Sequence, residues 1–243
     1  MKRLRIQHSC DYHYAYTMKY SAQLLRLTPR RDSFQRTLDW SIHSPGRRAE
    51  QVDAHGNITH LVTVEEPHRQ VDVAVSGLIE ITSSEQPLPH EGSLSPLVYL
   101  APTALTRPDS ALAELADRSR PRAGANWDWI AQLGRAVREL LPDSPSATDA
   151  THAYLACCRA AGVPARFVSG YRLLTEEQAD RSAWVDVWSS GQDGWISLDV
   201  DRLEPARSRH CRLAVGRDYP DAAPFRSHLG GDAVETLRIR DHQ

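Results

Sequence analysis

Lysine is almost missing from this 243-residue chain: of 29 basic residues only Lys2 and Lys19 are lysines, a bias that reads as genome composition rather than function. With 31 acidic residues the formal net charge is −2. That leaves no strong positive field to hold nucleic acid or an anionic membrane surface. No stretch approaches the ~18 apolar residues of a membrane span. The basic start MKRLRIQHSC is not followed by the apolar run of a secretory leader. The four cysteines, at 10, 157, 158 and 211, form no CxxC pair and no zinc spacing. There is no Gly-rich phosphate loop and no internal repeat. The expectation is a cytoplasmic protein with no metal, no cofactor, no nucleic acid and no membrane partner.

What the sequence does have is a β-rich first third. Leu4 and Ile6 alternate with charges, Gln23–Thr28 is a short run before Pro29, and Thr37–His43 alternates around Trp40. Gly56-Asn57 reads as a turn before the strand Ile58–Val64. VDVAVSGLIEI, residues 71–81, reads as a strand pair or as one strand with a bulge at Gly77. An all-β domain is predicted for residues 1–82. The Ser- and Pro-rich residues 83–108 read as a linker.

Residues 109–243 change period. Asp109 or Ser110 caps a short helix over Ala111–Ala116, and Trp127–Leu141 carries a helical apolar stripe that ends at Pro142. The next helix starts near Ala147 and stops at Gly162, with Pro164 beyond it. Strands follow over Ala165–Leu173, Ala183–Ser189, Gly194–Val200, Cys211–Val215 and Ala233–Ile239. Helices followed by an antiparallel sheet give an α+β fold.

Several stretches keep a familiar order: LRLTPR (25–30), DAHGN (53–57), GVPARFVSGY (162–171), AWVDVW (183–188), GWISLD (194–199) and LAVGRDYPDAAPFR (213–226). Together they resemble the bacterial transglutaminase-like superfamily, whose core has the papain-like fold and whose bacterial class carries its own β-rich N-terminal domain. The resemblance implies a Cys-His-Asp triad. A cysteine at a helix start has its thiol pKa lowered by the helix dipole, a histidine pairs with it, and an aspartate fixes the imidazole.

Carried over by position, Asp149 and His152 keep the helix frame, but the nucleophile position is Ala147. The histidine position before Ala183-Trp184 is Ser182. The acid after Gly194-Trp195 is kept as Asp199, followed by Val200 where the family has proline. Cys157 lies ten residues past Ala147, about 15 Å along a helix at ~1.5 Å per residue, so it and Cys158 read as packing residues. A nucleophilic Cys157 or Cys158 would require a helix starting near residue 156. His152 reads as a hydrogen-bonded histidine between helix and sheet, and Asp149 as a capping partner. Asp199, with no imidazole to orient, is expected to bond Ser182, an arginine or backbone amides.

His55 and His60 flank the turn and could bind a metal, although no acid cluster accompanies them. His8, His13, His43, His68, His90, His210, His228 and His242 are scattered. Arg26, Arg30 and Arg31 form the densest basic group and suit a contact with the second domain.

The expectation is therefore a non-catalytic, pseudoenzyme-type binding or scaffold protein with a degenerate triad at Ala147, Ser182 and Asp199. Its binding residues would be Asp149, His152, Ser182, Trp184 and Asp199, with carboxylates suited to an amine or basic peptide. The resemblance also implies a protein or peptide partner, in the company of an ATP-grasp-type amide ligase and an all-helical companion. The alternative is a rewired amidase, peptidase or acyltransferase that uses Ser182, Asp199 and a third residue the sequence does not place.

Overall fold

The computed structural model describes residues 1–82, 87–143, 145–175, 178–227 and 232–241. His228, His242 and residues 83–86 of the expected linker lie outside the described residues.

The first third folds as two packed four-stranded sheets. One contains β1 (Lys2–Met18), β3 (Gln35–His43) and β6 (His68–Ile81). The other contains β2 (Ser21–Leu25), β4 (Arg47–Val52) and β5 (Ile58–Val64). Alternation along β1 and β6 sends Leu4, Ile6, Val71, Val73, Val75 and Ile79 inward against Leu25, Val62 and Val64 of the facing sheet. β6 is one continuous strand, and the irregularity lies opposite it, between Thr37 and Asp39 of β3. Gly77 is needed because a Cβ there would come within 2.3 Å of the Trp40 ring.

Residues 87–108 are a strap rather than an open linker. β7 (Leu88–Pro89) pairs with β10 (Gly194–Asp199), two 3-10 turns follow at Pro96–Leu100 and Ala104–Thr106, and Tyr99 of the first turn is buried. Arg159 fastens it. Its guanidinium donates to Tyr99 O (2.9 Å), Ala165 O (3.2 Å), Thr106 Oγ1 (2.5 Å) and Arg217 O.

Three helices, α1 (Ser110–Arg118), α2 (Trp127–Leu140) and α3 (Ala147–Ala160), then pack together. Asp109, Asn126 and Ser146 cap them, each accepting a backbone N–H from the first turn. Gly162, at φ +78°, ends the turn after α3. The third sheet runs β11-β10-β9-β8-β12, from β8 (Ala165–Leu173), β9 (Ala179–Ser189), β10 (Gly194–Asp199), β11 (Glu204–Pro205) and β12 (His210–Gly216). Its pairings are antiparallel. Ala183, Val185 and Val187 of β9 pack on Ala150, Tyr154, Cys157 and Cys158 of α3. The alternate residues Ser182, Trp184 and Asp186 point the other way.

The sheets depart from the expected division of the chain. After the short α4 (Tyr219–Ala222), β13 (Phe225–Ser227) pairs with β2 and β14 (Asp232–Asp241) pairs with β1, so the chain returns to finish both N-terminal sheets. A boundary read only along the sequence does not see this pairing, because it joins residues more than 200 apart. No helix among the described residues is long and apolar enough to cross a membrane.

Candidate functional site

Ala147 is the first residue of α3, with its methyl group half-buried. Ser146 before it accepts the Asp149 N–H (3.1 Å) and donates to the Asp149 carboxylate (2.7 Å). Thr151 Oγ1 donates to Ala147 O (2.7 Å). The frame is thus a well-capped helix start whose first side chain carries no chemistry. Asp149 is exposed and acts in the cap.

Beside this helix start lies a cavity of about 150 Å³, lined by Thr148, Phe167, Ser169, Arg181, Ser182, Ala183, Tyr219 and Pro224. Ser182 is buried, and its hydroxyl has no hydrogen-bond partner among the described residues. Ser169 Oγ donates to Ala222 O (2.5 Å), and Arg181 pairs with Glu235 (2.6 Å). Opposite Ser182 stands Gly170, where a Cβ would lie 2.1 Å from Cys211 O and 2.5 Å from the Trp184 ring. That glycine lets Trp184 lie over β8, with its ring centroid 5.1 Å from that of His210.

Asp199 is fully buried and does not line the cavity. The expectation that it has no imidazole is corrected: His210 Nε2 lies 3.0 Å from its Oδ2. Arg172 Nη1 donates to the same oxygen (2.8 Å), and the Arg202 N–H donates to Oδ1 (3.2 Å). Ser182 does not bond it. Burial alone would raise the Asp199 pKa, but the bonds and charges of His210 and Arg172 outweigh it and hold the carboxyl below its ordinary range. Sequence reasoning missed His210 because it sits on β12 and reaches Asp199 only through the curl of the sheet. Nothing local separates it from the other histidines.

Of the five expected binding residues, only Ser182 lines the cavity. Trp184 is buried under the sheet and Asp199 is neutralised. His152 is buried; its Nε2 accepts the Tyr219 N–H (3.1 Å) and its ring packs on Phe167. Burial lowers its pKa. Among the described residues no carboxylate lines this cavity: Asp149 serves the cap and Asp199 meets Arg172 and His210.

All four cysteines are free and buried. Burial pushes the Cys157 thiol up to about 12, and Cys158 well above its ordinary value. Cys157 donates to Leu112 O (3.5 Å). Because α3 starts at Ala147, the alternative helix start near residue 156 is overturned. His55 Nδ1 meets the Tyr99 hydroxyl (3.0 Å) and His60 Nε2 meets Thr28 Oγ1 (2.9 Å). No group of three His, Cys, Asp or Glu among the described residues could hold a metal ion. Arg26 and Arg30 are buried against residues of both halves: Arg26 meets Asp53 (3.3 Å) and Ala223 O (3.4 Å). Arg30 meets Asp32 (3.1 Å), His55 O (2.8 Å) and Asn57 (2.6 Å), while its N–H donates to Arg212 O (3.1 Å). Arg31 is exposed.

A helix start is followed by an antiparallel sheet whose third strand, β10, ends at the buried Asp199. The core is transglutaminase-like and papain-like. Residues 4–80 match the bacterial transglutaminase-like N-terminal region, and residues 130–200 match the transglutaminase-like superfamily. The chain is 26% identical to an uncharacterized protein of Mycobacterium leprae over 98% of this chain and 97% of that protein. It is also 26% identical to one of Mycobacterium tuberculosis, over 92% and 86%. The crystal structure of a candidate cysteine protease from Cytophaga hutchinsonii superposes with a TM-score of 0.77 at 18% identity, covering 100% of this chain and 91% of that one. That last likeness is one of fold.

Proposed function

We propose that this transglutaminase-like chain is a non-catalytic binding or scaffold protein. The observation that carries the reading is the methyl group of Ala147 at the helix start where the fold's nucleophile would stand. Cys157 and Cys158 lie buried at the other end of α3, and Ser182 Oγ has no hydrogen-bond partner among the described residues. Losing the nucleophile of such a constellation can cost on the order of 10⁶ in rate. The partner is a protein or peptide, and the family resemblance suggests work beside an amide-forming ATP-grasp-type ligase in peptide modification. Turnover assays with peptide amides and esters test this: no thiol-dependent hydrolysis or acyl transfer is expected, and alkylation should leave function unchanged. A thiol reagent that labels Cys157 or Cys158 stoichiometrically and abolishes function would sink the reading.

One observation favours a second reading. His210 stands on Asp199, and both His210 Nδ1 and Ser182 Oγ are buried without partners among the described residues. A rewired serine acyl-transfer site would use those three residues, with His210 as the residue the sequence could not place. It predicts labelling of Ser182 by a fluorophosphonate; the first reading predicts none.

A further inference from the structure

We propose that the solvent face of the β14-β1-β6-β3 sheet is a self-docking surface, on which a second copy of this chain stacks face to face about a twofold axis. The inference is independent of the helix start and of the binding reading above.

Alternation decides what this face carries. Leu4, Ile6, Val71, Val73 and Val75 fill the inner side, so the residues between them point to solvent. The antiparallel register lays these out in rows across the strands. At one end Arg5 stands directly opposite Arg240, with Arg3, Arg36 and Arg238 around them. Glu80 pairs with Arg3 (3.1 Å) and Arg36 (3.0 Å), and Asp39 adds a second carboxylate. Five arginines against two carboxylates leave a surplus of three positive charges. Arg5, Arg238 and Arg240 have no hydrogen-bond or ion-pair partner among the described residues.

Six residues further along β1, ~20 Å at ~3.4 Å per residue, the sign reverses. Asp11 stands directly opposite Asp72, and neither meets an arginine or lysine among the described residues. Asp72 accepts from Gln70 alone, and Arg69 at the margin bonds Thr17. Like charges directly opposite on a sheet destabilise it. This face holds two such pairs, of opposite sign, and the single chain answers neither. Between them Gln7, Ser9, Ala74, Ser76 and Thr236 are short and uncharged, which leaves a hollow of about 300 Å³.

A second copy answers both pairs at once. A twofold axis that crosses the strands between Ser76 and Ala74 reverses the order of the rows. It sets the Arg5–Arg240 pair of each copy against the Asp11–Asp72 pair of the other, and such self-complementarity is what a twofold interface needs. The short residues between let the two sheets approach to the ~10 Å of packed sheets. From Arg3 to His13 across four strands the face covers roughly 700 Å² per copy, near the ~800 Å² per partner of a standard stable interface. Val234, 61% exposed on β14, is covered with it. A polyanion fits less well: the chain carries a net charge of −2, and a ligand long enough to span the face meets Asp11 and Asp72.

The test is sedimentation of the full chain over a micromolar concentration series. The mass should rise with concentration to twice that of one chain. Association should weaken several-fold in about 500 mM salt, where screening cuts the reach of surface charge to ~4 Å. Asp11→Arg with Asp72→Arg makes both ends of the face basic. Arg5→Glu, Arg238→Glu and Arg240→Glu together make both ends acidic. Each variant alone should self-associate at least about tenfold more weakly than the native chain, because like charges now meet. Mixed in equal amounts, the two should form a heterodimer, since both ends are again complementary. Thermal unfolding checks that each variant is folded; should one fail, the salt dependence of the native chain and the other variant decide. A chain that is monomeric at every concentration, a dimer that both variants leave intact, or folded variants that stay monomeric when mixed overturns the proposal. Binding of an acidic peptide or an oligonucleotide by a chain that stays monomeric also overturns it, and assigns the basic end to that partner.

Discussion

Two buried polar clusters share the curled sheet, and they are finished differently. In the first, Asp186 is fully buried and accepts from Arg166 (2.8 Å), Ser197 (2.6 Å) and Arg212 (2.9 Å from Nη2, and from Nη1). Arg166 also lies over the Trp195 ring, 4.3 Å from its centroid. In the second, Ser182 Oγ, Trp184 Nε1 and His210 Nδ1 all lack partners among the described residues. Burial penalises both clusters, and only the first answers with opposite charge. The first is a structural device that holds the strap and N-terminal sheets against the core. The second holds buried polar atoms that have no partner among the described residues.

Breaking the first cluster should have the largest effect. Arg212→Met leaves Asp186 and Asp32 short of a cation, and about 3–5 kcal/mol of stability should be lost in urea unfolding. Acid comes next. Burial, helped by the charge of Arg181, lowers the His8 pKa to about 4. The unfolded chain therefore binds this proton more readily, so the contribution is complete above about pH 6.5 and is lost as pH falls toward about 4. That is worth about 3 kcal/mol. His55, His60 and His152, also lowered by burial, act in the same direction. Stability measured at pH 7 and pH 4.5 should show the drop, and His8→Gln should flatten part of it.

Smaller effects sharpen the contrast at the second cluster. Ser146→Ala removes the α3 cap and should cost about 1 kcal/mol. Ser182→Ala removes a hydroxyl with no partner among the described residues, so denaturation should move by less than about 0.5 kcal/mol, or show slight stabilisation. A loss of 2 kcal/mol there would mean that the hydroxyl is structural after all.

The parts of the fold legible in the sequence are those set by local period. Ile58–Val64 and Ala165–Leu173 lie where alternation and turn residues put them, and α3 begins at Ala147 because Ser146 caps it. β4 was illegible: RRAEQV is exposed at every position, so no apolar alternation marks it. The return of β13 and β14 to the N-terminal sheets is a pairing between distant segments, which a local pattern does not encode. At the site, Thr148, next to Ala147, and Ser182 are among the residues that line one cavity. The partners of Asp199 were out of reach, since Arg172 and His210 come from two other strands.

The central claim is that the helix start still has the electrostatics of a thiol site and lacks only the reacting groups. The most direct measurement is the pH dependence of alkylation in the native chain and in the double variant Ala147→Cys, Ser182→His. The native chain should react negligibly at neutral pH, since its four thiols are buried. The double variant should gain one reactive thiol with a pKa below the ordinary ~8.5, depressed by the helix end and the new imidazole. A new thiol titrating at or above that value, or a native cysteine reacting stoichiometrically with loss of function, would contradict the claim.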